Sequence, residues 1–306
     1  MTQSAISIRH LTKKYRDFTA VNDLNLEIAT GEVYGFLGPN GAGKSTTLRM
    51  LLTLIKPSSG EIFVLGKSLT ANRSLLLRQV GSIIEKPDFH LYLSALNNLK
   101  IQARLCGLFP ANKQLYELLE TVGLKGREHD KVKTYSHGMK QRLGLAQALV
   151  HNPKIVILDE PTTGLDPQGI IDLRLLILRL KKEMKKTVVL SSHILSEIEL
   201  IADSMAIIHT GKAVVQGKVK ELLSNEDLII VIEPQNLAFC TQELQNSRWN
   251  KKLSTIAEST IEMNLSKKDI PELMLFLADK KIPTYSVSYK RVLEDYFLKL
   301  TNQTNA

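Results

Sequence analysis

The run Gly38-Pro39-Asn40-Gly41-Ala42-Gly43-Lys44-Ser45 has residue types suited to wrapping a phosphate chain, and it fits G-x-x-x-x-G-K-[ST]. Its glycines let the backbone curl so that successive N–H groups face one anion. Lys44 adds a positive charge against the β- and γ-phosphates, and the Ser45 hydroxyl is a hard donor for Mg²⁺. A second run, Ile155-Val156-Ile157-Leu158-Asp159-Glu160, ends an apolar stretch in two carboxylates. Beside a phosphate loop, Asp159 suits an outer-sphere hold on Mg²⁺, and Glu160 suits the general base that takes a proton from an attacking water or positions it.

Both runs need rigid elements to hold them. Residues 33–37, 80–84, 155–158, 188–190 and 206–208 are short, aliphatic or β-branched, and strand-sized. Residues 45–54, 94–106, 113–122, 139–150 and 169–184 carry helical patterns between them. Near-continuous apolar strands separated by helices predict an α/β core with a mostly parallel sheet covered on both faces. The helix opening at Ser45 then turns its positive dipole end toward the phosphate loop. A hairpin is predicted over residues 205–216, turning at Thr210-Gly211. Past Leu223 the texture changes to strand 228–232, helix 237–244, strand 259–265, helix 271–278, strand 284–289 and helix 292–300. The expected division is a domain at 1–223, with a helical subdomain near 85–150, and a small α+β appendage at 224–306. Trp249, Tyr285, Tyr289 and Tyr296 in the appendage read as packing residues, since basic interleaving of a base-stacking platform is missing.

Of 306 residues, 43% are hydrophobic and 23% charged, which excludes a disordered or fibrous chain. Cys106 and Cys240 stand far apart without a CxxC, which argues against a disulfide framework and for a reducing, cytoplasmic setting. No signal peptide is visible, and no apolar run approaches the roughly 18 residues of a membrane span. Forty Lys and Arg against 31 Asp and Glu give a net charge of +9, which favours anionic partners. The charges are dispersed, and pairs such as Lys181-Lys182 and Lys185-Lys186 read as a solvated helix face.

Tyr135-Ser136-His137-Gly138-Met139, followed by Lys140-Gln141-Arg142, resembles the signature segment of the ATPase subunits of ABC transporters. Gly164-Leu165-Asp166 is similar to their D-loop, Ser191-Ser192-His193 to their switch histidine, and Tyr15 to the aromatic residue that stacks on adenine. The resemblance covers about residues 1–223, in the family's order. It implies an ATP- and Mg²⁺-dependent ATPase in which Gly38 to Gly43, Lys44, Ser45 and Thr46 hold the nucleotide. It further implies two copies paired head to tail, with Ser136 and Gly138 of one copy meeting the γ-phosphate held by Lys44 of the other. Asp166 would couple the two sites, and His193 would hold the γ-phosphate and water. An integral membrane permease is the implied partner, which places the chain peripherally on the cytoplasmic face of the membrane, with no nucleic acid expected.

Two positions depart from the family pattern. His137 stands where a small glycine is usual. Glu85 stands where most relatives carry glutamine, in the loop that senses Mg²⁺; its carboxylate can ligate the ion more strongly than an amide yet repels a nearby γ-phosphate. Glutamate there resembles the ATPase subunits of bacitracin-resistance and lantibiotic self-immunity exporters, as do the segment 191–199 and Leu293-Glu294-Asp295-Tyr296-Phe297. The implied function is ATP-driven export of a peptide antibiotic. The alternatives are an exporter of another substrate, a soluble ABC-type ATPase acting on ribosomes or nucleic acid, and a P-loop kinase. The kinase scheme has no place for Glu160 or the Ser136 segment.

Overall fold

A computed structural model describes residues 4–85, 87–223, 227–291, Leu293 and Phe297. The chain divides into two compact units, Met1–Val219 and Lys220–Ala306.

The first unit is built on two sheets. One is antiparallel, in the order β2-β1-β4-β5, from β1 (Ser4–Tyr15), β2 (Phe18–Ala29), β4 (Ser59–Val64) and the short β5 (Lys67–Ser68). The other has the order β10-β9-β3-β8-β7-β6, from β3 (Val33–Leu37), β6 (Val80–Ile83), β7 (Ile155–Leu158), β8 (Thr187–Ser192), β9 (Ser204–His209) and β10 (Lys212–Lys218). β6, β7, β8, β3 and β9 run parallel and only β10 turns back, as expected of strands apolar on both faces. The hairpin turn is tight because Thr210 and Gly211 both adopt positive φ, the pattern of a two-residue primed turn.

Helix α1 (Lys44–Leu51) buries Leu48, Met50 and Leu51 in a core shared with Ile6, Ile8, Phe36, Ile157 and the short α2 (Arg73–Leu77). The core thus joins both sheets and clamps the element that opens at Lys44. Three helices, α3 (Ala95–Leu105), α4 (Asn112–Thr121) and α5 (His137–Leu149), pack on one another. Ser94 caps α3, accepting from the Asn97 amide. Helix α6 (Pro167–Lys182) starts two residues before the predicted 169, because Asp166 caps it and Pro167 occupies its first position. The unit closes with α7 (Leu195–Ile201) and a short α8 (Val219–Leu223), which runs past the division between units.

The basic run near the end of α6 corrects one expectation. Lys186 is 6% exposed, with its ammonium on Asn152 Oδ1, and Lys181 pairs with Asp203. Only Lys182 and Lys185 face solvent.

The second unit is a βαββαβ sandwich of β11 (Asp227–Pro234), α9 (Leu237–Gln245), β12 (Leu253–Ile256), β13 (Ile261–Ser266), α10 (Ile270–Asp279) and β14 (Thr284–Arg291). Its antiparallel sheet has the order β12-β13-β11-β14, the split arrangement of ferredoxin-like folds. Alternate residues Leu228, Ile230 and Ile232 meet Ile261, Met263 and Leu265 under the helices, with Trp249 edge-on to Phe276. Tyr285 and Tyr289 are 71% and 59% exposed on β14, so they are not packing residues. Of the helix expected over 292–300, Leu293 and Phe297 are described and both are helical, Phe297 being buried, whereas Tyr296 lies outside the described residues.

Candidate functional site

The phosphate-loop geometry follows from two glycines. Gly43 caps α1 at φ +106, and a Cβ there would stand 2.4 Å from the Ala20 carbonyl oxygen. At Gly38 a Cβ would meet the Ile208 carbonyl oxygen at 2.3 Å. No side chain fits at either position, so the backbone alone lines the turn. The β9–β10 hairpin props it from behind: the Gly211 N–H donates to Ala42 O at 2.9 Å, and the Asn22 N–H donates to Gly211 O at 2.9 Å.

Lys44 is 3% exposed, and its ammonium donates to the carbonyls of Gly38 (2.6 Å) and Pro39 (3.1 Å). Glu160 Oε1 is 3.4 Å away. Burial lowers the Lys44 pKa, while the carboxylates of Glu160 and Asp159 act in the opposite sense.

At the end of β7, the Ser191 hydroxyl donates to Asp159 Oδ1 (2.5 Å) and accepts from the Glu160 N–H (2.8 Å). One buried hydroxyl thereby fixes both members of the carboxylate pair. Glu160 takes a left-handed conformation, φ +44, which costs a non-glycine residue energy and aims its side chain off the strand. Its Oε2 lies 3.1 Å from His193 Nδ1 and accepts a 3.3 Å bond from the Thr163 hydroxyl. The ammonium and the imidazole together hold this carboxylate beside the phosphate loop, where a water attacking a phosphate would stand.

Ser45, Glu85, Asp159 and Glu160 line one cavity of about 310 Å³, together with His137, Gln141 and Thr163. A hydroxyl beside carboxylate oxygens suits Mg²⁺. Among the described residues no group of three or more His, Cys, Asp or Glu could hold a metal alone. An ion at Ser45 and Asp159 would therefore rely on phosphate oxygens and water, the usual habit of Mg²⁺. Bound there, it would neutralise charge developing on the phosphates.

Ser136, Gly138 and Asp166 belong to a second cavity, of about 150 Å³. Ser136 caps α5 through the Met139 N–H and Asp166 caps α6 through the Gly169 N–H, so two helix N-termini open beside each other. Tyr15 lines neither cavity. It ends β1 with Lys13 Nζ 4.8 Å from its ring centre.

His137 keeps a negative φ as the first residue of α5, so its side chain costs the backbone nothing. Its Nε2 lies 3.2 Å from the Thr163 carbonyl oxygen, away from the Ser136 cap. Glu85 adopts φ +65, and its Oε1 lies 2.5 Å from Arg49 Nη2. The sequence did not single out Gln141, Thr163 or the bridging hydroxyl of Ser191. Gln141 had a legible sign: an amide buried on an otherwise apolar helix face.

A turn that admits backbone but no side chain, closed by a buried ammonium and facing a strand-end carboxylate, defines a nucleotide hydrolase of the P-loop class. Residues 21–163 match the family described as ABC transporter. The chain is 40% identical over 304 residues to the uncharacterized ABC transporter ATP-binding protein YhcH of Bacillus subtilis, covering 99% of this chain and 97% of the relative. It is 50% identical over 207 residues to the bacitracin transport ATP-binding protein BcrA of Bacillus licheniformis, covering 68% and 67%. It is 41% identical over 229 residues to the lantibiotic transport ATP-binding protein SrtF of Streptococcus pyogenes, covering 73% and 97%. Among solved structures, cbiO1 of Clostridium perfringens, part of the transporter complex cbiONQ, has a TM-score of 0.67 at 28% identity, covering 73% and 92%. The dimeric cassette MJ0796 has a TM-score of 0.64 at 26% identity, covering 70% and 98%. The chain belongs to the ATP-binding subunits of ABC transporters, which bind ATP and hydrolyse it to power transport and which pair with membrane permease components. No helix among the described residues is long and apolar enough to cross a membrane.

Proposed function

We propose that this chain powers export of a peptide antibiotic, of bacitracin or lantibiotic type, through a separate integral membrane permease, giving resistance or self-immunity. The observation that carries the reading is the 50% identity to a bacitracin transport subunit over 207 residues. A lantibiotic transport subunit at 41% identity points the same way. Two copies pair head to tail at the cytoplasmic face of the membrane, each supplying Ser136 and Gly138 to the γ-phosphate on Lys44 of the other. Tyr15 stacks on adenine, and Ser45 and Asp159 hold Mg²⁺. A phosphate chain competes with Glu160 for the Lys44 ammonium, which frees the carboxylate to take the proton of the attacking water, with His193 holding its geometry. Asp166 links the two sites.

The test is a deletion strain complemented with the wild-type gene and with the Lys44→Ala form, scored for sensitivity to bacitracin and to lantibiotics. Only the wild-type gene should restore resistance. Unchanged sensitivity to both classes, with the ATPase still assembled on a permease, would overturn the substrate.

A further inference from the structure

Three carboxylates, Glu85, Asp159 and Glu160, line the cavity that also holds Ser45. A tetra-anionic triphosphate entering such a space meets like charge on several sides, and only cations held close to the carboxylates offset it. Lys44 stands beside Glu160, at 3.4 Å, and the Ser191 hydroxyl donates to Asp159. Glu85 has Arg49. The two residues lie 36 apart in the chain, yet Arg49 Nη2 and Glu85 Oε1 are 2.5 Å from each other.

We propose that Arg49 is a positioning residue for ATP binding: it holds the Glu85 carboxylate and cancels the charge that this carboxylate would otherwise set against the γ-phosphate. The inference rests on reading the Ser45 cavity as the ATP site. Two geometric facts support it. Arg49 lies four residues after Ser45 on α1, so the same helix face that presents the phosphate-side hydroxyl presents the guanidinium one turn later. Glu85 leaves β6 in the left-handed region, φ +65, which brings its carboxylate within reach of that turn. A glutamine at this position would carry no charge for Arg49 to cancel.

Both side chains are partly solvent-exposed, and ion pairs of that kind contribute little to folding. An effect of Arg49 on nucleotide binding is therefore separable from an effect on stability. The test uses the purified full chain in EDTA, with dissociation constants for ATP and ADP measured for wild type, Arg49→Gln, Glu85→Gln, the double variant and Lys44→Ala. Arg49→Gln should weaken ATP relative to ADP roughly five- to tenfold, because the γ-phosphate adds charge that ADP lacks. Adding Glu85→Gln to that variant should return the ratio to within about twofold of wild type, and raised salt should shrink the difference. Equal weakening of ATP and ADP, or no rescue by Glu85→Gln, overturns the proposal. Lys44→Ala binding ATP as well as wild type would instead overturn the site reading beneath it.

Discussion

Between Met1 and Val219 the interior holds polar groups, among them Lys44, Thr47, Asn98, Gln141, Asp159 and Ser191, alongside its apolar core. Among the described residues from Lys220 onward, no polar or charged residue is buried, and the core is Leu, Ile, Met, Phe, Cys and Trp. Burying a polar group costs free energy unless every bond is made, so a fold accumulates such groups only where something depends on their placement. In the first unit Ser191 ties the Asp159 carboxylate to the Glu160 backbone N–H, and Asn98 ties the turn at His90 to the start of α3. The contrast is between a unit whose buried polar side chains include those of the candidate site and one whose core residues are apolar, its buried Thr241 hydroxyl and Trp249 indole nitrogen bonding to no other described group.

Three experiments test whether the two units differ in this way. The largest effect belongs to Glu160→Gln, which should lower the hydrolysis rate roughly 10²–10⁴-fold while ATP still binds, measured by phosphate release and nucleotide titration. Rapid turnover by this variant would show that the strained carboxylate is not the reacting group. Next is Ile230→Ala in the second unit, where truncating a 1% exposed side chain should cost about 3 kcal/mol. Calorimetry should show the transition of the second unit moving down while ATP still raises the other, because a ligand stabilises only what binds it. Loss of ATP binding along with the second unit's stability would merge the two.

The smallest effect is a pH dependence confined to one unit. All seven histidines precede residue 220. Burial lowers the His151 pKa from its ordinary 6.5, against the raising effect of its bond to Val80 O, and Lys186 lowers it further. Its Nδ1 is buried without a partner, so a second ring proton would find no acceptor. Below about pH 6.5 the unfolded chain takes up a proton that the folded one refuses, so stability is lost as pH falls. The first unit should melt earlier at pH 5.5 than at pH 7, and His151→Gln should flatten that part of its curve. The histidine-free second unit should change less over the same interval; a parallel decline in both would assign the effect elsewhere.

How much of this was legible depends on what ends each element. β3 and β7 are apolar on both faces, so their bounds coincide with the apolar runs. β8 continues past its apolar run through Ser191 and Ser192, because their buried hydroxyls bond to Asp159 and Glu197. β1 and β2 escaped a sequence reading since bulges at several points, with His10 and Asp23 at positive φ, break the two-residue alternation. Helix α7 is too short for periodicity to register. At the candidate site the residue types were legible in their local runs. The meeting of Lys44, Glu160 and His193 at one phosphate followed from the resemblance, but the direct pairing of Glu160 with Lys44 and with His193 did not, since it depends on the side-by-side order of β3, β8 and β7.

The hairpin prop behind the phosphate loop has a consequence for synthesis. Ala42 leaves the ribosome early, but the amide that meets its carbonyl belongs to Gly211, and among the described residues β3 pairs with β8 on one side and β9 on the other. The loop therefore has β1, β2 and its own helix for neighbours but lacks its sheet partners and its hairpin prop until about 170 further residues have been made. A growing chain cut short of the hairpin would carry the whole phosphate-binding sequence and still present no site to the nucleotide pool.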